Sequence, residues 1–76
     1  MFDENLKARL REWCDSSSTM FSRIYFFEEN NKIVVKRNDG QGISSVLHCF
    51  RSNKAIKEFL DKVDEAARIL SEYSIE

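Results

Sequence analysis

Residues 20–50 decide the fold, and they read MFSRIYFFEENNKIVVKRNDGQGISSVLHCF. Asn30-Asn31 suits a two-residue hairpin turn at positive φ, and Asp39-Gly40-Gln41-Gly42 suits a longer loop with a glycine bulge. These turn signals separate runs that are rich in β-branched and aromatic residues: Met20–Glu28, Lys32–Arg37 and Ile43–Phe50. The stretch therefore predicts three antiparallel strands.

The turns also predict how the strands pair. If Glu29 pairs with Lys32 across the first turn, Phe26 lies opposite Val35. If the residues flanking the second loop pair with each other, Leu47 lies opposite Val35 on the other side. A slip of one residue in either hairpin would move side chains to the other face of the sheet, so the assignment of faces depends on the turn types.

This register gives the sheet two faces of different character. The first face is apolar and carries Ile24, Phe26, Ile33, Val35, Ile43, Leu47 and Cys49. The second face mixes aromatic, aliphatic and basic side chains and is expected to carry no carboxylate; it consists of Phe21, Arg23, Tyr25, Phe27, Lys32, Val34, Lys36, Val46, His48 and Phe50. We expect the first face to be core and the second to be where a partner binds.

Helical patterns flank the strands. The first helix is predicted from Glu4 to Asp15, with Asp3 as its N-cap and an end at the run of hydroxyl residues 16–19. The second is predicted from Ser52 or Asn53 to about Tyr73. Its apolar stripe fits packing on the sheet or a short coiled-coil seam, and it consists of Ile56, Leu60, Val63, Ala67 and Leu70.

The chain is therefore predicted to be a single small α+β domain, residues 1–76, of order α-β-β-β-α. Its three-stranded antiparallel sheet is expected to have helices packed mainly on one face. An alternative places the first helix on the second face, where Trp13 would cover Tyr25 or Phe27 and make them core. Only the first arrangement leaves the second face open to a partner.

Charge is unevenly distributed along the chain, although the formal net charge is −1. Residues 20–51 contain five basic and three acidic side chains, whereas residues 52–76 contain four basic and six acidic ones. The predicted sheet is therefore the basic part of the molecule, and this polarity can orient a partner. No apolar run approaches the roughly 20 residues of a membrane span, so no membrane association is expected.

The cysteines and the N-terminal residues predict an intracellular, cytoplasmic protein. Residues 1–11 are charged and lack the apolar run of a secretory signal. Cys14 and Cys49 both fall on positions predicted to face the core. We therefore expect reduced, structural thiols in place of a disulfide bridge.

The chain carries no motif that predicts catalysis, a cofactor or a metal. His48 and Cys49 are adjacent, but neighbouring side chains of a strand point to opposite faces and cannot form a nucleophile–base pair. One histidine and two distant cysteines do not make a four-ligand zinc site. The loop with Gly40 and Gly42 joins two strands and opens no helix, so it is expected to be only a turn. We expect the protein not to be an enzyme and to need no cofactor.

Aromatic side chains flanked by Lys and Arg on a flat sheet are typical of protein interfaces. The sequence thus favours a small protein-interaction module, such as an inhibitor, an adaptor or a homodimeric subunit. Its partner would be another protein, with an acidic surface as one possibility, or a second copy of the chain. The expected partner-binding residues are Arg23, Tyr25, Phe27, Lys32, Val34, Lys36, Val46, His48 and Phe50.

The alternative function is nucleic-acid binding through the same face, with bases stacked on the aromatic rings and phosphates on the basic side chains. The element order is similar to that of double-stranded RNA-binding domains, and Ser52-Asn53-Lys54-Ala55-Ile56-Lys57 resembles the basic start of their last helix. The dense lysine cluster of that family is missing here, because Glu58 and Asp61 follow at once. The chain is therefore not identified as a member.

Overall fold

The polypeptide forms a helix, three strands and a second helix in that order, as predicted. The computed structural model describes residues 1–73. The strands form one antiparallel sheet in the order β1-β2-β3, so the second strand is central. The elements are α1 (Glu4–Ser17), β1 (Ser22–Glu29), β2 (Lys32–Asp39), β3 (Ser44–Phe50) and α2 (Asn53–Tyr73).

The first hairpin follows from its two asparagines. Asn30 and Asn31 have φ angles of 50° and 62°. A two-residue turn of type I′ requires positive φ at both positions, and asparagine adopts it more readily than most residues. The resulting register places Phe26 opposite Val35, so the predicted pairing of β1 with β2 is confirmed.

Asp39 and Gly42 shape the second loop. The Asp39 carboxylate accepts hydrogen bonds from two backbone N–H groups of the loop, at 2.9 and 3.0 Å. Gly42 has a φ of 86°, a left-handed conformation that glycine adopts without steric strain. Next to this loop the pairing of β2 with β3 is the predicted one, as far as Lys36 opposite Val46.

Beyond that point a β-bulge shifts the register of β3 by one residue. The irregularity lies between Val35 and Lys36, and Val35 pairs with His48 where Leu47 was expected. The predicted pairing of this half of β3 is therefore wrong. The physical reason is that a bulge sets two residues of one strand against one of its partner, which the loop type does not reveal.

The bulge exchanges side chains between the two faces of the sheet. His48 and Phe50, expected on the second face, share the first face with Val35 and Ile33, whereas Cys49 lies on the second face and is exposed. Leu47 is also exposed, in contrast to its predicted place in the core.

Residues just outside the strands differ from the prediction as well. Ile43 was expected on the core face, but it precedes β3 in the loop and is 60% exposed. Phe21, expected on the second face, precedes β1 and is also exposed. Strand alternation does not reach either residue, because both belong to the connections at one end of the sheet.

Both helices pack on one side of the sheet, and that side holds the core. Trp13 of α1 lies on this side, where its ring meets those of His48 and Phe59 at centroid distances of 6.1 and 5.0 Å. The alternative in which α1 covers Tyr25 and Phe27 is therefore wrong. The buried residues of the core are Phe2, Leu10, Cys14, Ile33, Val35, Phe50, Ile56 and Leu60.

The two helices run parallel to each other. The backbone N–H of Asp3, the N-cap of α1, donates to the Asn53 side chain at the start of α2, at 2.9 Å. Further along both helices, the Arg9 guanidinium meets the carboxylates of Asp64 at 2.9 Å and Asp61 at 3.4 Å. These side chains are partly exposed, so the ion pairs add little stability and mainly align the helices.

Among the described residues of α2, those that are buried or half-buried lie in its first half, up to Val63. Ile56 and Leu60 are buried, whereas every residue from Asp64 to Glu72 is exposed. The predicted packing of the α2 stripe on the sheet therefore holds for its first half only. Within residues 1–73, no helix has the length and apolar character needed to cross a lipid bilayer.

Leu60→Ala is expected to lower the free energy of unfolding by about 2–5 kcal/mol, since Leu60 is only 3% exposed and truncation leaves a cavity. Ile69→Ala, on the exposed half of the same helix, is the control and should change it by less than about 1 kcal/mol. Urea denaturation measures both values. Equal losses would contradict the division of α2 into a packed and an exposed half.

Candidate functional site

The uncovered side of the sheet, called the open face from here on, is the candidate site. Seven of the nine residues predicted to bind a partner lie on it, whereas His48 and Phe50 lie on the opposite, helix-covered side. Four residues that the sequence analysis did not place there, Glu29, Asn38, Ser44 and Cys49, join it. The open face consists of Arg23, Tyr25, Phe27, Glu29, Lys32, Val34, Lys36, Asn38, Ser44, Val46 and Cys49.

Two aromatic rings of β1 form the middle of the open face. The rings of Tyr25 and Phe27 are nearly parallel, with an interplanar angle of 27° and centroids 6.5 Å apart. The two residues are next-nearest neighbours in one strand, so alternation points both side chains to the same side. They form a continuous apolar strip that no helix covers.

Lys36 and Val34 of β2 adjoin this strip. The Lys36 ammonium lies 5.5 Å from the centroid of the Phe27 ring, a cation–π geometry. Val34, opposite Phe27 in the register, is only 7% exposed although no helix lies over it. Side chains of the open face itself therefore shield Val34, and they leave Tyr25 and Phe27 half-buried.

The open face has an excess of positive charge. Its cations are Arg23, Lys32 and Lys36, and among the described residues none of them forms an ion pair. The expectation that this face carries no carboxylate is wrong, because β1 extends one residue further than predicted and places Glu29 beside Lys32. Three cations against one carboxylate still leave a net positive surface.

Four carboxylates elsewhere in the molecule, those of Glu4, Glu28, Asp61 and Asp64, are engaged with cations of the helices. The Lys57 ammonium lies 2.7 Å from Asp61, and this hydrogen bond, together with Arg9, lowers the pKa of the Asp61 carboxyl. Lys7 bridges Glu4 and Glu28, and the Glu4 contact is the main reason that the Lys7 pKa is raised. Of the four cations of the sheet, Arg23, Lys32 and Lys36 lie on the open face and Arg37 lies on the other side, and none of them forms an ion pair among the described residues.

The two predicted residues that are not on the open face form an aromatic cluster beneath the helices. His48 stacks on Phe50 with an interplanar angle of 10°, and both rings contact Phe59 of α2. Phe50 is buried and His48 is half-buried, whereas Leu47 and Cys49 are exposed. Ring size is the signal in the sequence that favours His48 and Phe50 on the helix-covered side, because aromatic side chains bury the most apolar area.

The two thiols have different environments. Cys14 is buried in the core, and burial raises the pKa of its thiol to about 11. Cys49 is exposed, so its predicted structural role in the core is wrong. Within residues 1–73, no group of three or more His, Cys, Asp or Glu side chains is placed to hold a metal ion.

Comparison with protein-family models, with curated proteins and with solved structures found no match to this chain. What the fold and site define is a small α+β domain with both helices on one side of its sheet and an aromatic, basic surface on the other. The function has to be argued from that surface alone.

Because Phe50 lies in the core and Tyr25 on the open face, replacing each by alanine should lower the free energy of unfolding by different amounts. Phe50→Ala should lower the free energy of unfolding by about 3–5 kcal/mol, because Phe50 is 7% exposed within the core. Tyr25→Ala should lower it by about 1 kcal/mol or less, since Tyr25 is half-buried on the open face. Thermal and urea denaturation of both variants measure this, and the reverse order of losses would contradict the bulge.

We expect the two cysteines to react with a disulfide reagent such as dithionitrobenzoate in two separate phases. At about pH 8 only about one in a thousand Cys14 thiols would be ionised, and the side chain is inaccessible. Cys49 should therefore react at once, and Cys14 only when the protein opens. Cys49→Ser should remove the fast phase, and a persisting fast phase in that variant would contradict the burial of Cys14.

Proposed function

We propose that the protein is a non-enzymatic protein-interaction module whose open face binds an acidic surface of another protein in a stoichiometric complex. The observation that carries the proposal is the one-sided packing of the helices, which leaves the Tyr25–Phe27 strip accessible beside unpaired cations. Aromatic and arginine side chains dominate the binding energy of protein interfaces. Positive charge at the edge of such a strip steers an acidic partner toward it.

The aromatic rings favour a protein partner over nucleic acid. Single-stranded nucleic acids bind by stacking bases on exposed ring faces. Here the Lys36 ammonium lies over the Phe27 ring, and both rings of the strip are half-buried. Only three cations are available for phosphates, which limits the electrostatic term that dominates nucleic-acid affinity.

The charge of the open face also argues against a symmetric dimer formed face to face. In such a dimer the same patch of both copies is in contact. The patch carries Arg23, Lys32 and Lys36 against Glu29 alone, so like charges would be brought together and desolvated. An acidic partner avoids this penalty.

The test compares variants of equal charge change. Immobilised wild-type protein, Lys36→Glu and Lys54→Glu are each exposed to an extract of the source cells. Lys54 is exposed at the start of α2, away from the open face, so Lys54→Glu is the control. We expect a protein that the wild type and the control retain and that Lys36→Glu does not.

Purified binding partner then allows a quantitative test by calorimetry. Tyr25→Ala should raise the Kd at least about tenfold, as expected for a residue at the centre of an interface. A labelled single-stranded RNA oligonucleotide serves as the competing probe. Retention by Lys36→Glu equal to the wild type, or tight oligonucleotide binding that weakens steeply with salt, would contradict the proposal.

A further inference from the structure

The two edges of the sheet are protected very differently. At the β1 edge, the Ser18 hydroxyl accepts a hydrogen bond from the Ile24 N–H at 2.9 Å and so occupies an outward-facing backbone group. The same edge carries Arg23, Glu28 and Glu29, and Lys7 of α1 reaches Glu28. Charges and side-chain caps are the devices by which natural proteins block the addition of another strand.

Within residues 1–73 the β3 edge carries neither charges nor side-chain caps, and its one protective feature is the bulge between Val46 and His48. Residues 43–50 contain neither a charged side chain nor a proline. By strand alternation, the N–H groups of Ser44, Val46 and Cys49 point away from β2, and β3 pairs with β2 alone within the described residues. Ile43 and Val46 are 60% and 59% exposed at this edge. An edge strand with these properties is a template for strand pairing.

We propose that two copies of the chain pair antiparallel through β3 and form a continuous six-stranded sheet. A strand without charge can lie beside its own copy without repulsion, whereas at the β1 edge the Ser18 hydroxyl already occupies the Ile24 N–H. The dimer would be isologous, with β3 of each copy donating hydrogen bonds to the other.

The charge pattern of α2 is complementary to this arrangement. Phe59 of α2 packs on His48 and Phe50, so α2 lies over β3, and a two-fold axis at the β3 edge would set the two α2 helices side by side and antiparallel. Residues 53–62 carry three lysines and two carboxylates, whereas residues 63–72 carry one arginine and three carboxylates. Antiparallel helices therefore bring the basic half of one copy beside the acidic half of the other.

This dimer does not depend on the proposed function of the open face. Strand pairing at an edge uses backbone groups in the plane of the sheet, whereas the open face projects perpendicular to that plane. In the dimer the two open faces lie next to each other and both remain accessible.

Sedimentation equilibrium of the purified full chain, from about 1 μM to 1 mM, tests the dimer. Ser44→Pro is the informative variant, because Ser44 begins β3 with its N–H directed to solvent, a position at which proline is compatible with an edge strand. We expect the wild type to dimerise and Ser44→Pro to raise the dimer Kd at least tenfold. Ser44→Ala keeps the N–H group and should behave as the wild type.

Amide hydrogen exchange of the wild type keeps the test decisive if circular dichroism shows that Ser44→Pro is unfolded. The N–H groups of Ser44, Val46 and Cys49 should exchange more slowly at high than at low protein concentration, while that of Phe26, on the β1 edge, should not change. A monomer at every concentration, a dimer that folded Ser44→Pro leaves intact, or exchange that is independent of concentration would overturn the proposal.

Discussion

The packing of His48 and Phe50 against Phe59 and Trp13 is the interaction on which the rest of the structure depends. It fixes α2 to β3 and joins α1 to the same layer through the Trp13–Phe59 contact. This packing requires the bulge in β3, since regular pairing would place both rings on the other side of the sheet. The position of the helices, and with it the open face, follows from one extra residue in an edge strand.

The sequence predicts most of the fold because its helix caps and turns are specified by residues that are close together in the chain. Asp3 accepts from the N–H groups of Asn5 and Leu6 as an N-cap should, and the asparagine pair adopts the positive φ angles of its turn. Such signals act within a few residues and need no knowledge of the tertiary structure. The order of elements and the first strand pairing could therefore be derived from the residues alone.

The rest of the site could not be predicted because it depends on tertiary packing. Residues 46–50 have apolar side chains on both faces of the strand, so alternation alone allows either Leu47 and Cys49 or His48 and Phe50 to face the core. The second arrangement is adopted because it packs the rings under α2. No glycine marks the bulge. Glu29 was missed for a different reason: the predicted strand ended at Glu28, although the predicted pairing of Glu29 with Lys32 already set this carboxylate on the face of Lys32.

The apolar residues and the cations of the open face do not support a binding function equally. Both helices pack on one side of this three-stranded sheet, so the other side is left uncovered by the fold itself, whatever the function. The apolar residues there also have a structural use, because cross-strand pairs such as Phe27 with Val34 stabilise a sheet. They alone would be weak evidence for a partner. Among the cations, Lys36 contacts the Phe27 ring, but Arg23, Lys32 and Lys36 form no ion pair within residues 1–73, and clustering like charges opposes folding. An acidic partner would remove that repulsion, so the charge, more than the rings, supports binding at this face.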